Sequence, residues 1–582
     1  MKRVIAGAIG NCIHIAGVVN FLRLAESLGY ETIFLGPAVP VEDFVKAIEE
    51  FNPDIVGVSY RLTPEVGEKL LSEFQQLIEK RKLREGRVFL FGGTPPVCDV
   101  AAKIGIFSAV FTGLEPQEEI LAILKGEKRE EKEEDFGNTL LERIRKKHPY
   151  PILRHHLGLP SLEETISAAR KVALAKVLDV ISIAPDQNAQ EHFFRPQEMD
   201  PALDGAGGVP IRAPEHLLAI FEATRCGNFP LLRIYSGTND LVKWAELAQQ
   251  TIRNAWAAIP LFWYSLLDGR SKRPLLQAIR ENQEGIKWHA ERGIPVEIND
   301  PHQWGLRDAH DALEVADAYL CAYNAKRLGV THYVAQYMLN TPPHIFGSMD
   351  LAKTLAKIEM VESLHDDNFT TFRQVRTGLL SLSPDLNIAK GQLASSITLS
   401  LALRPYIIHI VGYCEGDHAA GAEEIIESCK IARGVIGNYL FGLPDMTRDP
   451  IVQERKRQLI QEAKLIIEFI KLLGGGREDA LIDPEVLANA VKLGILDAPH
   501  LKGNPEGAGI VETRVIGGAV YAINPKTKEP MTERERLLFL IEEGRLPPEV
   551  AEKGKELLVS FPMDKVIPPL KRKGKDYEKR HR

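Results

Sequence analysis

The sequence predicts an α/β chain with two folds in series, a doubly wound parallel sheet followed by a (β/α)8 barrel of the TIM type, with a small extension beyond. Three observations carry this. Residues 1 to about 125 alternate five strand-like apolar runs with five helical patterns. From Ser161 to Gly474 the alternation resumes over a length that suits an eightfold barrel, usually about 250 residues plus insertions. Between them runs Glu127-Lys128-Arg129-Glu130-Glu131-Lys132-Glu133-Glu134-Asp135, which cannot bury itself and marks a boundary.

In the first region the strand-like runs are Arg3–Ile9, Glu31–Leu35, Asp54–Ser59, Arg87–Phe91 and Ala109–Thr112. Helical patterns follow near Val18–Leu28, Val41–Phe51, Pro64–Lys82, Pro96–Ile104 and Pro116–Leu124. Five of each is the flavodoxin-like count, and ligands of such sheets sit beyond the carboxyl ends of the strands. In the second region six of the eight strands a barrel needs are legible, at Val177–Ala184, Leu231–Tyr235, Ile259–Tyr264, Pro295–Ile298, His332–Tyr337 and Tyr406–Val411. After Gly474-Gly475-Gly476 come a loop-rich stretch at Ala498–Asn524, a helical pattern at Thr532–Glu543 and a basic tail that reads as a solvated end. The expected division is therefore 1–126, a charged linker at 127–160, the barrel at 161–476 and an extension at 477–582.

Composition narrows the function classes. The 582 residues are 45% hydrophobic and 26% charged, values of an ordinary globular chain. A formal charge of −7 gives no field for a nucleic-acid backbone, so nucleic acid is not an expected partner. No window approaches the roughly 20 apolar residues of a membrane span, and the first residues do not read as a signal peptide. A cytoplasmic protein with no membrane partner, forming a homo-oligomer, is the expectation. The six cysteines are dispersed with no Cys-x-x-Cys pair, which argues against both a disulfide framework and a zinc or iron–sulfur site.

The loops after the first, third and fourth strand-like runs carry the chemistry. They read Gly10-Asn11-Cys12-Ile13-His14-Ile15-Ala16-Gly17, Ser59-Tyr60-Arg61-Leu62 and Gly92-Gly93-Thr94. A histidine at a sheet edge can ligate a transition metal, and paired glycines let a large flat ligand approach the backbone. In order and spacing this trio resembles the cobalamin-binding domain of glutamate mutase, methylmalonyl-CoA mutase and methionine synthase, whose pattern is Asp-x-His-x-x-Gly, Ser-x-Leu and Gly-Gly. The resemblance implies that His14 is the lower cobalt ligand and that Gly17 opens the helix flanking the nucleotide tail. It also implies that Ser59 hydrogen-bonds the displaced benzimidazole and that Gly92 and Gly93 line the slot for the tail. Two positions depart: Cys12 stands where the family has Asp, and Arg61 where it has Leu, with Leu62 directly after.

The stretch Val491–Gly509, continuing through Glu512-Thr513-Arg514 to Gly517–Tyr521, resembles the closing segment of the glutamate mutase catalytic subunit. That resemblance implies a substrate-carboxylate arginine at Arg233, in Leu231-Leu232-Arg233-Ile234-Tyr235, and a glutamate near the adenosyl ribose at Glu415. An Arg fork at the end of a barrel strand suits bidentate carboxylate binding in any case. Val411 replaces the family's lysine, and Asn254–Tyr264 lacks its catalytic glutamate, so an acid without an amino group fits better than glutamate. Further polar candidates at strand ends are Asp186, Gln187, Asn188, Asn299, Asp300, His302, Gln336, Asn340, Asp417 and His418, while Arg225 and Arg307 suit either carboxylate binding or surface pairs.

Together the two resemblances imply an adenosylcobalamin-dependent carbon-skeleton mutase acting on a small carboxylic acid, with cobalt as its metal. A corrinoid methyltransferase or carrier is the alternative, and a non-catalytic cobalamin sensor is a third class that a barrel this large disfavours.

Overall fold

A computed structural model describes residues 2–113, 115, 117–126, 132–440 and 445–562 of the chain. The chain divides into two compact units, Met1–Glu130 and Glu131–Arg582. The basic tail from residue 563 lies outside the described residues.

The first unit is a five-stranded parallel sheet of β1 (Arg3–Ile9), β2 (Glu31–Val39), β3 (Ile55–Tyr60), β4 (Val88–Gly93) and β5 (Ala109–Phe111), in the order β2-β1-β3-β4-β5. That is the flavodoxin-like order, with its topological switch between β1 and β3. Burial explains the runs: β1 is buried from its second residue on and β3 throughout, because helices cover both faces. On one face Phe44, Phe74 and Phe89 meet edge to face, with ring centroids 5.6 and 6.2 Å apart. On the other, Val18, Leu22 and Ala25 of the helix Ala16–Ser27 pack against Val4, Ala6 and Leu90. Two of the crossover helices open with proline directly after the strand-end loops, Pro64 after Thr63 and Pro95 after Thr94.

The second unit is built on eight parallel strands: β6 (Ile152–Leu157), β7 (Val180–Ile183), β8 (Leu231–Ile234), β9 (Ala257–Ala258), β10 (Val296–Glu297), β11 (His332–Leu339), β12 (Thr370–Thr377) and β13 (Ile407–His409). Their order is β8-β7-β6-β13-β12-β11-β10-β9, so β13 closes onto β6 and one seam remains between β8 and β9. Individual bonds cross that seam. Ala255 N donates to Leu232 O at 2.9 Å, Ser236 N to Ala258 O at 3.3 Å, and Ile234 N to the Asn254 side-chain oxygen at 3.1 Å. The sheet is thus a nearly closed barrel.

Three sequence expectations change here. The stretch 127–160 is more than a charged linker: beyond 127–131, which lie outside the described residues, it holds the helix Leu140–Lys147 and the first barrel strand. That strand was illegible because Arg154, His155 and His156 interrupt its apolar pattern. β12 was missed for the same reason, carrying Arg373, Gln374 and Arg376. Conversely, Ile259–Tyr264 is apolar without being a strand. It is a buried loop after β9, with Trp263 packed edge to face on Trp304 at 4.8 Å and its Leu261 and Phe262 amides held by the Asp300 carboxylate at 2.8 and 2.6 Å.

The extension belongs to the same compact unit as the barrel. Before it, the helix Pro450–Leu473 packs on the barrel helices Asp311–Arg327 and Gly347–Glu362; within it, β14 (Glu512–Ile516) and β15 (Ala519–Ile523) form a hairpin in the stretch expected to be loop-rich, joined by β16 (Pro530–Met531). A buried ionic network ties the helix Pro450–Leu473 to the barrel helices. Lys353 lies 2.9 Å from Glu314 and 3.4 Å from Asp311, and Arg455 of that helix lies 3.2 Å from Asp311. Among the described residues no helix is long and apolar enough to cross a membrane.

Buried histidines make the second unit acid-sensitive. His289, 4% exposed, has Nδ1 2.8 Å from Gly285 O, and burial pushes it down to about 4. A histidine held neutral in the fold contributes stability that is complete above its unfolded value near 6.5 and is lost as pH falls from there toward 4. We expect the melting midpoint to fall over that window, with His289 accounting for up to about 3 kcal/mol at its lower end. Thermal unfolding of His289→Gln between pH 7 and 5 should show a shallower decline than the native chain; equal slopes would contradict this.

Candidate functional site

In the first unit the predicted residues converge on one edge. β1 ends at Ile9 and is followed by Gly10, whose φ of +71° favours glycine and whose missing Cβ leaves room for the Leu70 side chain. The turn continues through buried Cys12 to exposed His14, and the helix Ala16–Ser27 begins two residues later with Gly17 in its first turn. Cys12 Sγ lies 3.9 Å from His14 Nδ1, so the position the family fills with a carboxylate faces the same ring with a thiol and leaves Nε2 free of any partner among the described residues. Next along the edge, Ser59 is 8% exposed near the end of β3, and its hydroxyl makes no hydrogen bond among the described residues. Tyr60 Oη reaches Asn11 Oδ1 at 3.2 Å and so ties the first loop to the third strand.

Gly92 and Gly93 end β4 with different constraints. A Cβ on Gly93 would stand 2.7 Å from Tyr60 O, which makes it a packing glycine. A Cβ on Gly92 would meet nothing nearer than Phe111 O at 4.0 Å, so the protein itself leaves that space open. Ile13 and Leu62, at 68% and 37% exposure, present apolar side chains to solvent on the loops after β1 and β3. An open glycine face, an unpartnered hydroxyl, a free imidazole nitrogen and two exposed apolar side chains fit a corrinoid with its nucleotide tail.

The second unit has its own site, at the carboxyl ends of the barrel strands. Barrel lumens are commonly filled with branched apolar side chains; this one is polar. Arg154, Ser182, Arg233, Glu297, Gln336, Gln374 and His409 are all buried in hydrogen-bonded contact. Glu297 accepts from Trp256 Nε1 at 2.8 Å and Gln374 Nε2 at 3.0 Å, and Gln374 passes on to Gln336 Oε1 at 2.8 Å. Beyond this layer stand Tyr235, His156, His302 and Arg376. Tyr235 Oη lies 2.9 Å from His156 Nε2, Gln336 Nε2 lies 3.0 Å from His302 Nδ1, and the His156 and His409 rings are 4.5 Å apart.

Burial, reinforced by the Arg376 charge, holds His156, His302 and His409 well below the ordinary histidine value, so all three are neutral at pH 7. Burial also raises Tyr235. Burial alone would raise Glu415 too, but the His155 ring, with Nε2 3.2 Å away, the Gly412 amide at 2.9 Å and the Arg376 charge outweigh it and lower the carboxyl. Half-buried Arg376 uses only Nε, which donates to Thr377 O at 3.2 Å. Neither of its Nη atoms has a partner among the described residues, which leaves a cationic fork available to a ligand.

The predicted arginine sits elsewhere. Arg233 is 0% exposed in the lumen, 5.0 Å above the Trp256 ring, with Ser182 Oγ at 3.4 Å and Glu297 Oε2 at 3.9 Å. It is part of the floor rather than an open fork; among the described arginines of this lumen the fork without partners is that of Arg376. Glu415 lies on the turn after β13 within the electrostatic reach of Arg376. Among the other candidates, Asp186 caps a helix and pairs with Arg212, Asn340 accepts from Thr377 and Ser396 at the end of β11, and Asp417 pairs with His418 on the surface. These are structural. Asp300, pushed up to about 7 by burial, holds the loop after β9.

The edge of the first sheet defines a corrinoid-binding domain, and comparison with known proteins agrees. Residues 2–121 match the family described as B12 binding domain. The same region is similar to the dimethylamine corrinoid protein of Methanosarcina barkeri, 28% identical over 103 residues, which are 18% of this chain and 47% of that protein. It is also similar to dimethylamine corrinoid protein 1 of Methanosarcina acetivorans, 29% identical over 106 residues, 18% of this chain and 48% of that one. The chain thus spans about half the length of these curated relatives. Among solved structures, a cobalamin-binding protein from Desulfitobacterium hafniense is 27% identical over 19% of this chain and 52% of that chain, with a TM-score of 0.18. The first unit is a cobalamin-binding domain with corrinoid-protein relatives.

Proposed function

We propose that the chain is a cobalamin-dependent mutase that rearranges the carbon skeleton of a small carboxylic acid held at the carboxyl ends of the barrel strands. The observation that supports it is the unpaired Arg376 fork beside Tyr235 and three neutral histidines, in one chain with a cobalamin-binding domain. A cobalamin bound in its adenosyl form would supply the radical chemistry such a rearrangement needs. The protein's part is to bind and to hold. Arg376 grips the carboxylate, the neutral imidazoles offer hydrogen bonds without a competing charge, and the Arg233–Trp256–Glu297 floor stays fixed beneath. His14 would hold cobalt through Nε2, Ser59 would meet the nucleotide base, and Gly17, Leu62, Gly92 and Gly93 would border the tail.

The full chain loaded with adenosylcobalamin is expected to give a cob(II)alamin radical-pair signal by electron paramagnetic resonance when challenged with 2-methyleneglutarate, glutamate and branched acyl compounds. Silence across the panel together with methyl exchange would favour the second reading, corrinoid methyl transfer, which the two dimethylamine corrinoid proteins support.

The ligand role of His14 is separable. In the chain loaded with cob(II)alamin, 15N-histidine labelling should change the nitrogen hyperfine pattern, and His14→Ala should abolish that dependence while retaining the corrinoid. A pattern indifferent to both would remove His14 from the cobalt.

A further inference from the structure

We propose that Arg154, sealed beneath the barrel site, fixes the tautomers of two histidines so that the site presents hydrogen-bond donors, and that its ligand therefore offers acceptors, as a carboxylate or carbonyl does. This rests on the proposed substrate site in the barrel and deepens it.

Arg154 is 1% exposed on β6. Its terminal nitrogens carry four hydrogens, and four acceptors surround them: Ser182 Oγ at 2.6 Å and His156 Nε2 at 3.4 Å from Nη1, Gln336 Oε1 at 3.2 Å and His409 Nδ1 at 2.8 Å from Nη2. A guanidinium has no lone pair to offer, so every one of these neighbours has to accept. The orientation of Gln336 is fixed independently, because Gln374 Nε2, itself anchored on the Glu297 carboxylate, also donates to Oε1. No alternative arrangement gives Arg154 its full set of acceptors.

Each histidine is neutral and carries one proton. With Nδ1 of His409 accepting, that proton is on Nε2, which has no partner among the described residues and becomes a fixed donor. With the one lone pair of His156 Nε2 taken by Arg154, its proton is on Nδ1, where the Tyr235 oxygen at 3.2 Å accepts it; the same oxygen lies 2.9 Å from Nε2. The free donors of the site are then His409 Nε2–H and the Arg376 fork. Arg154 touches no ligand; it is a positioning residue that acts through His409 and His156.

The test is the histidine 15N spectrum of the full chain, with the two residues assigned by loss of their signals in His409→Gln and His156→Gln. The expected result is a proton on Nε2 of His409 and on Nδ1 of His156 in the native chain, and a mixed or reversed state of His409 in a folded Arg154→Met variant. A native His409 protonated on Nδ1, or a folded variant with unchanged tautomers, overturns the proposal; if the variant fails to fold, the native spectrum decides. Glutarate should shift the His409 Nε2 signal and 1,5-diaminopentane, of the same length but bearing donors, should not. The reverse, or no response to either, overturns the ligand assignment. A radical signal alongside the wrong tautomers removes this inference alone, and the expected tautomers without any radical signal remove the mutase reading alone.

Discussion

Arg376→Met is expected to lower kcat/KM for the acid substrate by about 100- to 1,000-fold while leaving the melting midpoint within about 3 °C of native. Removing a desolvated cation that pairs with a ligand carboxylate costs about 3–4 kcal/mol of binding. The apo protein loses almost nothing, because the guanidinium makes one hydrogen bond, to Thr377 O, and no ion pair among the described residues. Arg233→Met should behave in the opposite sense. Arg233 lies against Trp256 and near Glu297 without exposure, so its loss strands a buried carboxylate and lowers the melting midpoint. Steady-state kinetics paired with thermal unfolding of both variants checks this. Should Arg233→Met remain stable and lose substrate affinity, the assignment of the two arginines is reversed.

Gly92→Leu should leave the first unit folded and weaken corrinoid binding by at least about tenfold to a hundredfold, the cost of about 1–3 kcal/mol for overfilling a packed site. The asymmetry between the paired glycines makes the experiment discriminating. At Gly93 a new Cβ meets the Tyr60 carbonyl at 2.7 Å, so Gly93→Ala damages the sheet whether or not cofactor is present. At Gly92 the nearest atom is 4.0 Å away, so whatever is lost there is lost to the ligand. Circular dichroism and melting of the apo chains, followed by spectroscopic titration with cobalamin, separates the two. Native-like binding by Gly92→Leu would show that the nucleotide tail does not pass that strand end.

The two units differ in how much of them the sequence reveals, and the difference is physical. Strands of the first sheet are covered on both faces, so β1 and β3 read as continuous apolar runs and their loops could be located to within a residue or two. The barrel strands face helices on one side and a polar lumen on the other. In β6 and β12 the inward positions are Arg154 and His156, Gln374 and Arg376, so alternation places charge where an apolar core is looked for. A period-two pattern of polar residues inside an apolar frame was the signal that could have found them, and with them Arg376. β9 and β10 are two residues long, too short for any pattern, while the aromatic run after β9 is apolar only because Trp304 and Asp300 bury it as a loop. Arg233 is singled out by the resemblance to the glutamate mutase subunit, but whether a lumen arginine faces the ligand or the floor depends on Trp256 and Glu297, which come from other parts of the chain.

The proposed activity depends on the first unit holding a corrinoid at the carboxyl edge of its sheet. The direct measurement is the visible spectrum and cobalt content of the full chain after incubation with adenosylcobalamin and gel filtration. About one corrinoid retained per chain, with a spectrum displaced from that of the free cofactor, is the expected result. A colourless, cobalt-free protein recovered from an excess of cobalamin would contradict the account at its root.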